Sequence, residues 1–331
     1  MTSGSDVRIE NMRWMGPHGI GVMCRTGILA LALLGAASAG RLDAGSASGR
    51  SYPPILYVQG VQCPAHATCF LKPLYHDRIR RIAVIGLPSS PLSSGAFSDS
   101  HPVWSPDHTR IAFVRESHNG LSYAIWVMNA DGGGQKPITK GTMIATEPAW
   151  APNGKTIVFR ADSPDGKTFD LYTIPVAGGT PTNITSDPDS VGALNPDWSP
   201  NSKLIVFQRT KSNSGAGTGI FTIRPDGTGL KRLTIGGQDP AWSPDGKRIA
   251  AVFPDPASGG RFQIYLMSSS GTSRKQLTTG TESTAPAWSP DGRQLVFVRG
   301  TQITVVSATG TGVKQLTKQL HALRFVDTPD W

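Results

Sequence analysis

The chain has 331 residues, a formal charge of +9 and only 17% charged residues. Its 38 glycines and 26 prolines are roughly 11% and 8% of the chain, against averages of about 7% and 5%. That composition excludes a charge-rich disordered chain and, without a triplet period, collagen; it favours short strands and tight turns over helical bundles.

The first 39 residues read as a secretory signal. Arg8, Arg13 and Arg25 precede the apolar run Gly27 to Gly35, and Ala36, Ala37, Ser38 and Ala39 follow. A basic start, a short apolar stretch and an Ala-x-Ala end are the marks of an exported chain. The run is shorter than the ~20 apolar residues that span a bilayer. The expected division is a signal peptide at 1–39, a short linker at 40–50 and one domain at 51–331. The expected location is periplasmic or extracellular.

Cys24 would leave with the signal. Cys63 and Cys69 remain, in Val-Gln-Cys-Pro-Ala-His-Ala-Thr-Cys-Phe. In an oxidising compartment such a pair is expected to bridge, which intact mass with and without reductant would test. A metal site would need more ligands than His66 and His76 supply.

Next comes the repeat. Trp104, Trp150, Trp198, Trp242, Trp288 and Trp331 each follow Pro-x, at intervals of 43 to 48 positions. A period in the forties with four strands per unit marks a propeller blade. After each of the first five tryptophans comes a turn, clearest in Ser243-Pro-Asp-Gly246 and Ser289-Pro-Asp-Gly292. Proline fixes φ, Asp bonds its own backbone and Gly takes the left-handed position. An alternating strand follows, as in Ile111/Phe113, Ile157/Phe159, Ile205/Phe207, Ile249/Ala251 and Leu295/Phe297. A third strand comes next: Ile125 to Met128, Leu171 to Ile174, Ile220 to Ile223, Ile264 to Met267 and Ile303 to Val306. Each unit ends on a Gly turn and Ile-Thr or Leu-Thr.

Five units are complete. Residues 52–98 supply a second strand (Ile55/Tyr57), a third (Ile82 to Ile85) and an outer edge (Phe97-Ser98), but no Pro-x-Trp. The missing inner strand is Thr328-Pro-Asp-Trp331. The expected fold is therefore all-β, a six-bladed propeller whose C-terminal strand completes the first blade and removes the open sheet edges.

Pro-x-Trp-Ser-Pro-Asp-Gly-Lys-x-Ile-Ala, then Ile-Tyr-x-Met, Gly and Leu-Thr, resembles the WD40-like (PD40) repeat of TolB-type propellers; residues 240–251 and 286–297 match it best. The resemblance covers nearly all of 51–331 and implies the fold far more specifically than the function. TolB itself belongs to a periplasmic complex linking the inner membrane to a peptidoglycan-associated lipoprotein, and has an N-terminal α/β domain. Here about ten residues separate the signal from the first unit, so the resemblance implies the propeller without that domain. Related propellers precede the hydrolase domain of prolyl oligopeptidase-like enzymes.

No Gly-x-Ser-x-Gly elbow, His-Glu-x-x-His, phosphate loop or dinucleotide fingerprint is present. No catalytic residue, metal site or cofactor is assigned, although a cation at the channel mouth is compatible with the acids there. The residues before Pro-x-Trp are His101, Glu147, Asn195, Asp239, Ala285 and Thr328. With the Trp strand innermost they form a polar ring at the channel mouth, a candidate ligand-binding set. Arg115, Arg209 and Arg299, each two positions after the second-strand Phe, join that face. Loops between second and third strands vary in length, as do the connections to the next inner strand, and one-sided variation marks a binding face. The expected function is an exported, monomeric, non-catalytic binding module for a protein or cell-envelope component, without nucleic acid or a membrane span. The alternatives are a channel-site polysaccharide lyase or hydrolase, and a regulatory propeller for a separately encoded peptidase.

Overall fold

A computed structural model describes residues 54–62, 75–82, 90–93, 97–117, 122–140, 143–162, 166, 168–186, 192–210, 217–317 and 326–331; the side chains of 57–62, 75–82, 90 and 326–329 are not described. The signal, the linker and Cys63 and Cys69 lie outside these residues.

The described chain is β-structure apart from one short 3-10 turn, Pro256–Ser258. It forms five sheets. Asp99–Trp104, Arg110–Glu116, Tyr123–Asn129 and Lys136–Pro137 follow one another in a four-stranded antiparallel sheet. The strands within 238–276 and 283–315 repeat that order. An eight-stranded sheet holds two such runs, 145–183 and 192–232, joined through the single parallel pair Phe169 and Gly192. In the fifth sheet Val326–Asp330 pairs antiparallel with Ile55–Gln62, followed by Tyr75–Ile82 and Ser90–Pro91.

The N-terminal unit departs from the expected strands. Its third strand is Tyr75–Ile82 rather than 82–85, in unbroken register with Ile55–Gln62. Its outer strand is Ser90–Pro91 rather than Phe97-Ser98. A ladder is made by backbone groups, so a segment as charged as His76-Asp-Arg-Ile-Arg-Arg81 can pair where apolar alternation points elsewhere.

Local chemistry explains the repeats. In the turn, Ser289 Oγ donates to Asp291 Oδ1 at 2.8 Å and accepts from Gln294 N at 2.9 Å. Ser105, Ser199 and Ser243 make the same two bonds in their own turns. At the unit's end, Thr139, Thr185, Thr234, Thr278 and Thr317 each accept, through Oγ1, the N–H that begins the apolar stretch of the third strand, at 2.8–3.1 Å. The glycine after the third strand abuts the preceding unit: a Cβ on Gly271, at φ +86°, would lie 2.6 Å from Leu233 O.

The core is a series of face-to-face interfaces. Phe113, Phe159, Phe207 and Phe297 are fully buried. Val114 and Ile125 pack with Trp150 and Phe159; Val158 and Leu171 with Trp198 and Phe207; Val252 and Ile264 with Trp288 and Phe297. Leu56 packs with Trp104 and Phe113, and Ile55 and Trp331 with Val296, Val298 and Ile303. Indole N–H groups stitch neighbours together: Trp104 to Pro54 O (2.9 Å), Trp150 to Val103 O (3.2 Å) and Trp288 to Ala241 O (3.1 Å).

Candidate functional site

Every complete Pro-x-Trp strand carries the same irregularity. His101, Glu147, Asn195, Asp239 and Ala285 have φ between 48° and 54°, a region that non-glycine residues seldom enter. The ladder shifts register at the same place in each strand. This is a β-bulge, which re-aims a side chain that regular pleating would leave on the sheet face. A shift also occurs where Thr328 lies, between Asp327 and Asp330; the Thr328 side chain is outside the described set.

The bulges bring three of the expected residues into one chain of hydrogen bonds. Asn195 N donates to Glu147 Oε2 at 2.6 Å, and Asn195 Nδ2 donates to Asp239 Oδ1 at 2.7 Å. Asp239 Oδ2 accepts from Ala285 N at 3.3 Å, and Glu147 Oε1 accepts from Arg160 Nη1 at 2.8 Å. Each member of this chain retains accessible surface. His101 is not bonded to the chain; its Nδ1 lies 3.0 Å from Ser100 Oγ.

The three arginines differ. Arg115 is buried and makes a two-pronged pair with buried Asp99, at 2.6 and 2.8 Å, with its guanidinium against the rings of Phe97, Phe113 and Trp126. Arg209 is buried over Phe221, beside a cavity of about 100 Å³ lined by Ile184, Ala193, Phe207 and Leu230 among others. Arg299 is partly exposed and donates to Thr279 O at 2.5 Å.

Two acids escaped the sequence reading. The middle residue of Pro-x-Trp is Val103, Ala149, Ala241 or Ala287 in four units, but Asp197 and Asp330 in the other two, three repeats apart. Asp197 Oδ2 accepts the backbone N–H of Trp242 at 2.6 Å, and Asp330 Oδ2 that of Trp104 at 2.7 Å. Each carboxylate thus ties its inner strand to the next unit's. Both side chains keep a little accessible surface but are enclosed by protein. Burial pushes each up to about 7, against the opposing hydrogen bonds from backbone N–H groups, and the charge of Asp330 raises Asp197 further. The signal was present as Pro-Asp-Trp, but nothing local distinguishes an acid that bridges units from one in solvent.

Among the described residues, no group of three or more His, Cys, Asp or Glu is placed to hold a metal. No helix among them is long and apolar enough to cross a membrane.

Comparison with known proteins agrees on the fold. Residues 88–239 match the TolB beta propeller domain family (PD40). TolB from Acinetobacter baumannii superposes with a TM-score of 0.66 at 21% identity, over 85% of this chain and 67% of that one. The putative TolB from Agrobacterium tumefaciens gives 0.61 at 18%, over 81% and 90%. An oligogalacturonate lyase from Vibrio parahaemolyticus gives 0.53 at 12%, over 73% and 72%. No functionally curated protein matches significantly. The described fold is all-β and propeller-like, similar to that of TolB.

Proposed function

We propose that the chain is an exported binding module, built as a six-bladed ring closed by its C-terminal strand, that captures a protein or cell-envelope component at its channel mouth without catalysing a reaction. Closure is supported by the pairing of Val326–Asp330 with Ile55–Gln62 and by Trp331 packing with Val296 and Ile303. Export is supported by the basic, apolar and small-residue pattern of 1–39.

The observation that carries the binding site is the hydrogen-bonded chain Glu147–Asn195–Asp239. Three successive inner strands hold these polar groups in uncommon backbone geometry, partly open to solvent. Two carboxylates in fixed positions suit a basic side chain or a sugar hydroxyl, through charge-assisted hydrogen bonds. His101 and Thr328 occupy the equivalent positions on other inner strands.

The test is capture of envelope and culture-supernatant proteins by residues 40–331 against Glu147→Gln/Asp239→Asn. Both substitutions keep an acceptor oxygen and remove charge, so the fold should survive while capture falls at least severalfold. Equal capture by parent and variant would place binding elsewhere. Lys247, which is exposed, is the control position. Arg248 is unsuitable, because it lies over the Trp288 ring at 4.7 Å and donates to Gly292 O. The likeness to a lyase supports a second reading, an enzyme acting on an acidic polysaccharide. Release of unsaturated products from such a polymer would favour it over the binding module.

A further inference from the structure

We propose that the cavity beside Arg209 binds a carboxylate carried on a short aliphatic stem. The cavity, of about 100 Å³, lies where residues 184–186, at the end of one run of strands, meet the run 192–232. None of its lining residues belongs to the hydrogen-bonded chain Glu147–Asn195–Asp239.

The repeat places a carboxylate at the corresponding point of another unit. Asp99 stands directly opposite Arg115 in the antiparallel ladder, and Ala193 stands opposite Arg209 in the same register. In the first pair the carboxylate meets the guanidinium edge, taking Nε and Nη2 at 2.6 and 2.8 Å, while the rings of Phe97, Phe113 and Trp126 pack against the group. Arg209 keeps a ring contact of that kind: its guanidinium lies 5.3 Å from the centre of the Phe221 ring, and Phe221 holds the ladder position of Trp126. Ala193, however, has only a methyl group where Asp99 carries its carboxylate. Ala193 and Arg209 both line the cavity, so space opens where the other unit puts an acid. A ligand carboxylate entering there meets the guanidinium as Asp99 does, through a pair of charge-assisted hydrogen bonds.

The remaining walls decide what that carboxylate is attached to. Ile184, Phe207 and Ile223 are buried and apolar, and Ser186 and Leu230 form an exposed rim. The Thr185 hydroxyl accepts from Leu171 N and donates to Asp170. Among the described residues lining the cavity, Arg209 alone is charged. One cation above apolar walls suits a monocarboxylate; a sugar would need several convergent polar groups. An apolar cavity of about 150 Å³ holds benzene, so this smaller one holds a stem of about three carbons. The occupant is a free short-chain acid or the side chain of a glutamate.

The test is a methyl NMR titration of the purified protein with butyrate, with glutamate capped at both ends, and with butyramide. Saturable shifts are expected at Ile184, Ile223 and Leu230, and none at Ile249 or Ile303, which pack in other clusters. Binding of butyrate identifies a free acid as the source, and binding of capped glutamate alone identifies a side chain. Butyramide keeps the shape and loses the charge, so it should bind at least about tenfold more weakly than butyrate. Ala193→Asp supplies the carboxylate from within the chain, as at Asp99, and should weaken binding of either acid by at least about tenfold. No saturable shift with either acid would overturn the proposal. So would equal binding of butyramide, an arm that needs no variant, or undiminished binding by Ala193→Asp. Failure of the capture experiment leaves these outcomes untouched, because the two sites share no residue.

Discussion

Asp99 and Arg115 illustrate how much a residue's role depends on its partner. A buried guanidinium is tolerated because a buried carboxylate, 1% exposed, meets it with two hydrogen bonds and three aromatic rings surround it. Removing one partner of such a pair leaves an uncompensated charge, at a cost of about 3–5 kcal/mol. Asp99→Ala should therefore lower the denaturant midpoint strongly with little change in m, while Arg115→Met/Asp99→Leu should recover much of the loss. Equal stability of Asp99→Ala and the parent would mean that the pair is solvated. In the sequence, Arg115, Arg209 and Arg299 occupy one repeat position and invite one role. The structure gives them different surroundings because Asp99 is replaced by Ala193 in the unit of Arg209 and by Ser283 in that of Arg299. That difference lies on another strand, sixteen residues away in each case, and periodicity alone does not weigh it.

At the scale of the element, what was legible is what is local. The Ser-Pro-Asp-Gly turn closes on its own hydroxyl and carboxylate, and strand period two puts Ile249 and Ala251 in one core cluster and the equally buried Ala250 and Val252 in the next. The threonine ending each unit was legible as a pattern, but its reason, an Oγ1 accepting from the third strand, needed coordinates. The outer strands are two residues long and expose Lys136, Lys231, Lys275 and Lys314. Short, lysine-bearing edges resist pairing with other chains, which gives part of the +9 charge a structural use. Contact between units leaves one demand at Gly271, where positive φ and the backbone of Leu233 both oppose a side chain. Gly271→Ala should destabilise by at least about 1–3 kcal/mol, measured by thermal melting. Gly312→Ala, at φ +67° with open space around it, should cost less, because only the backbone term remains.

For the whole molecule, the feature that matters most is the pairing of Val326–Asp330 with Ile55–Gln62. Val326–Asp330 is a five-residue strand, yet it completes the sheet of Ile55–Gln62, buries Trp331 to 3% exposure and bonds through Asp330 to Trp104. The core clusters then run from unit to unit: Leu56 with Trp104, Val114 with Trp150, Val158 with Trp198, Val206 with Trp242, Val252 with Trp288, and Ile55 and Trp331 with Val296. In an array whose units contact only their neighbours, stability is close to a sum of unit and interface terms. Deleting 328–331 takes away the buried indole, worth about 3–5 kcal/mol by analogy with large-to-small core substitutions, and uncovers the edge of Ile55–Gln62. The truncated chain should melt well below the parent and form concentration-dependent aggregates by light scattering, as exposed strand edges do. Trp331→Phe keeps the strand and most of the apolar contact, so it should lose less stability and remain dispersed. If deletion leaves the melting temperature unchanged, the C-terminal strand is dispensable and the ring reading fails. If deletion and Trp331→Phe are equally destabilised but neither aggregates, the indole rather than edge pairing holds the ends together.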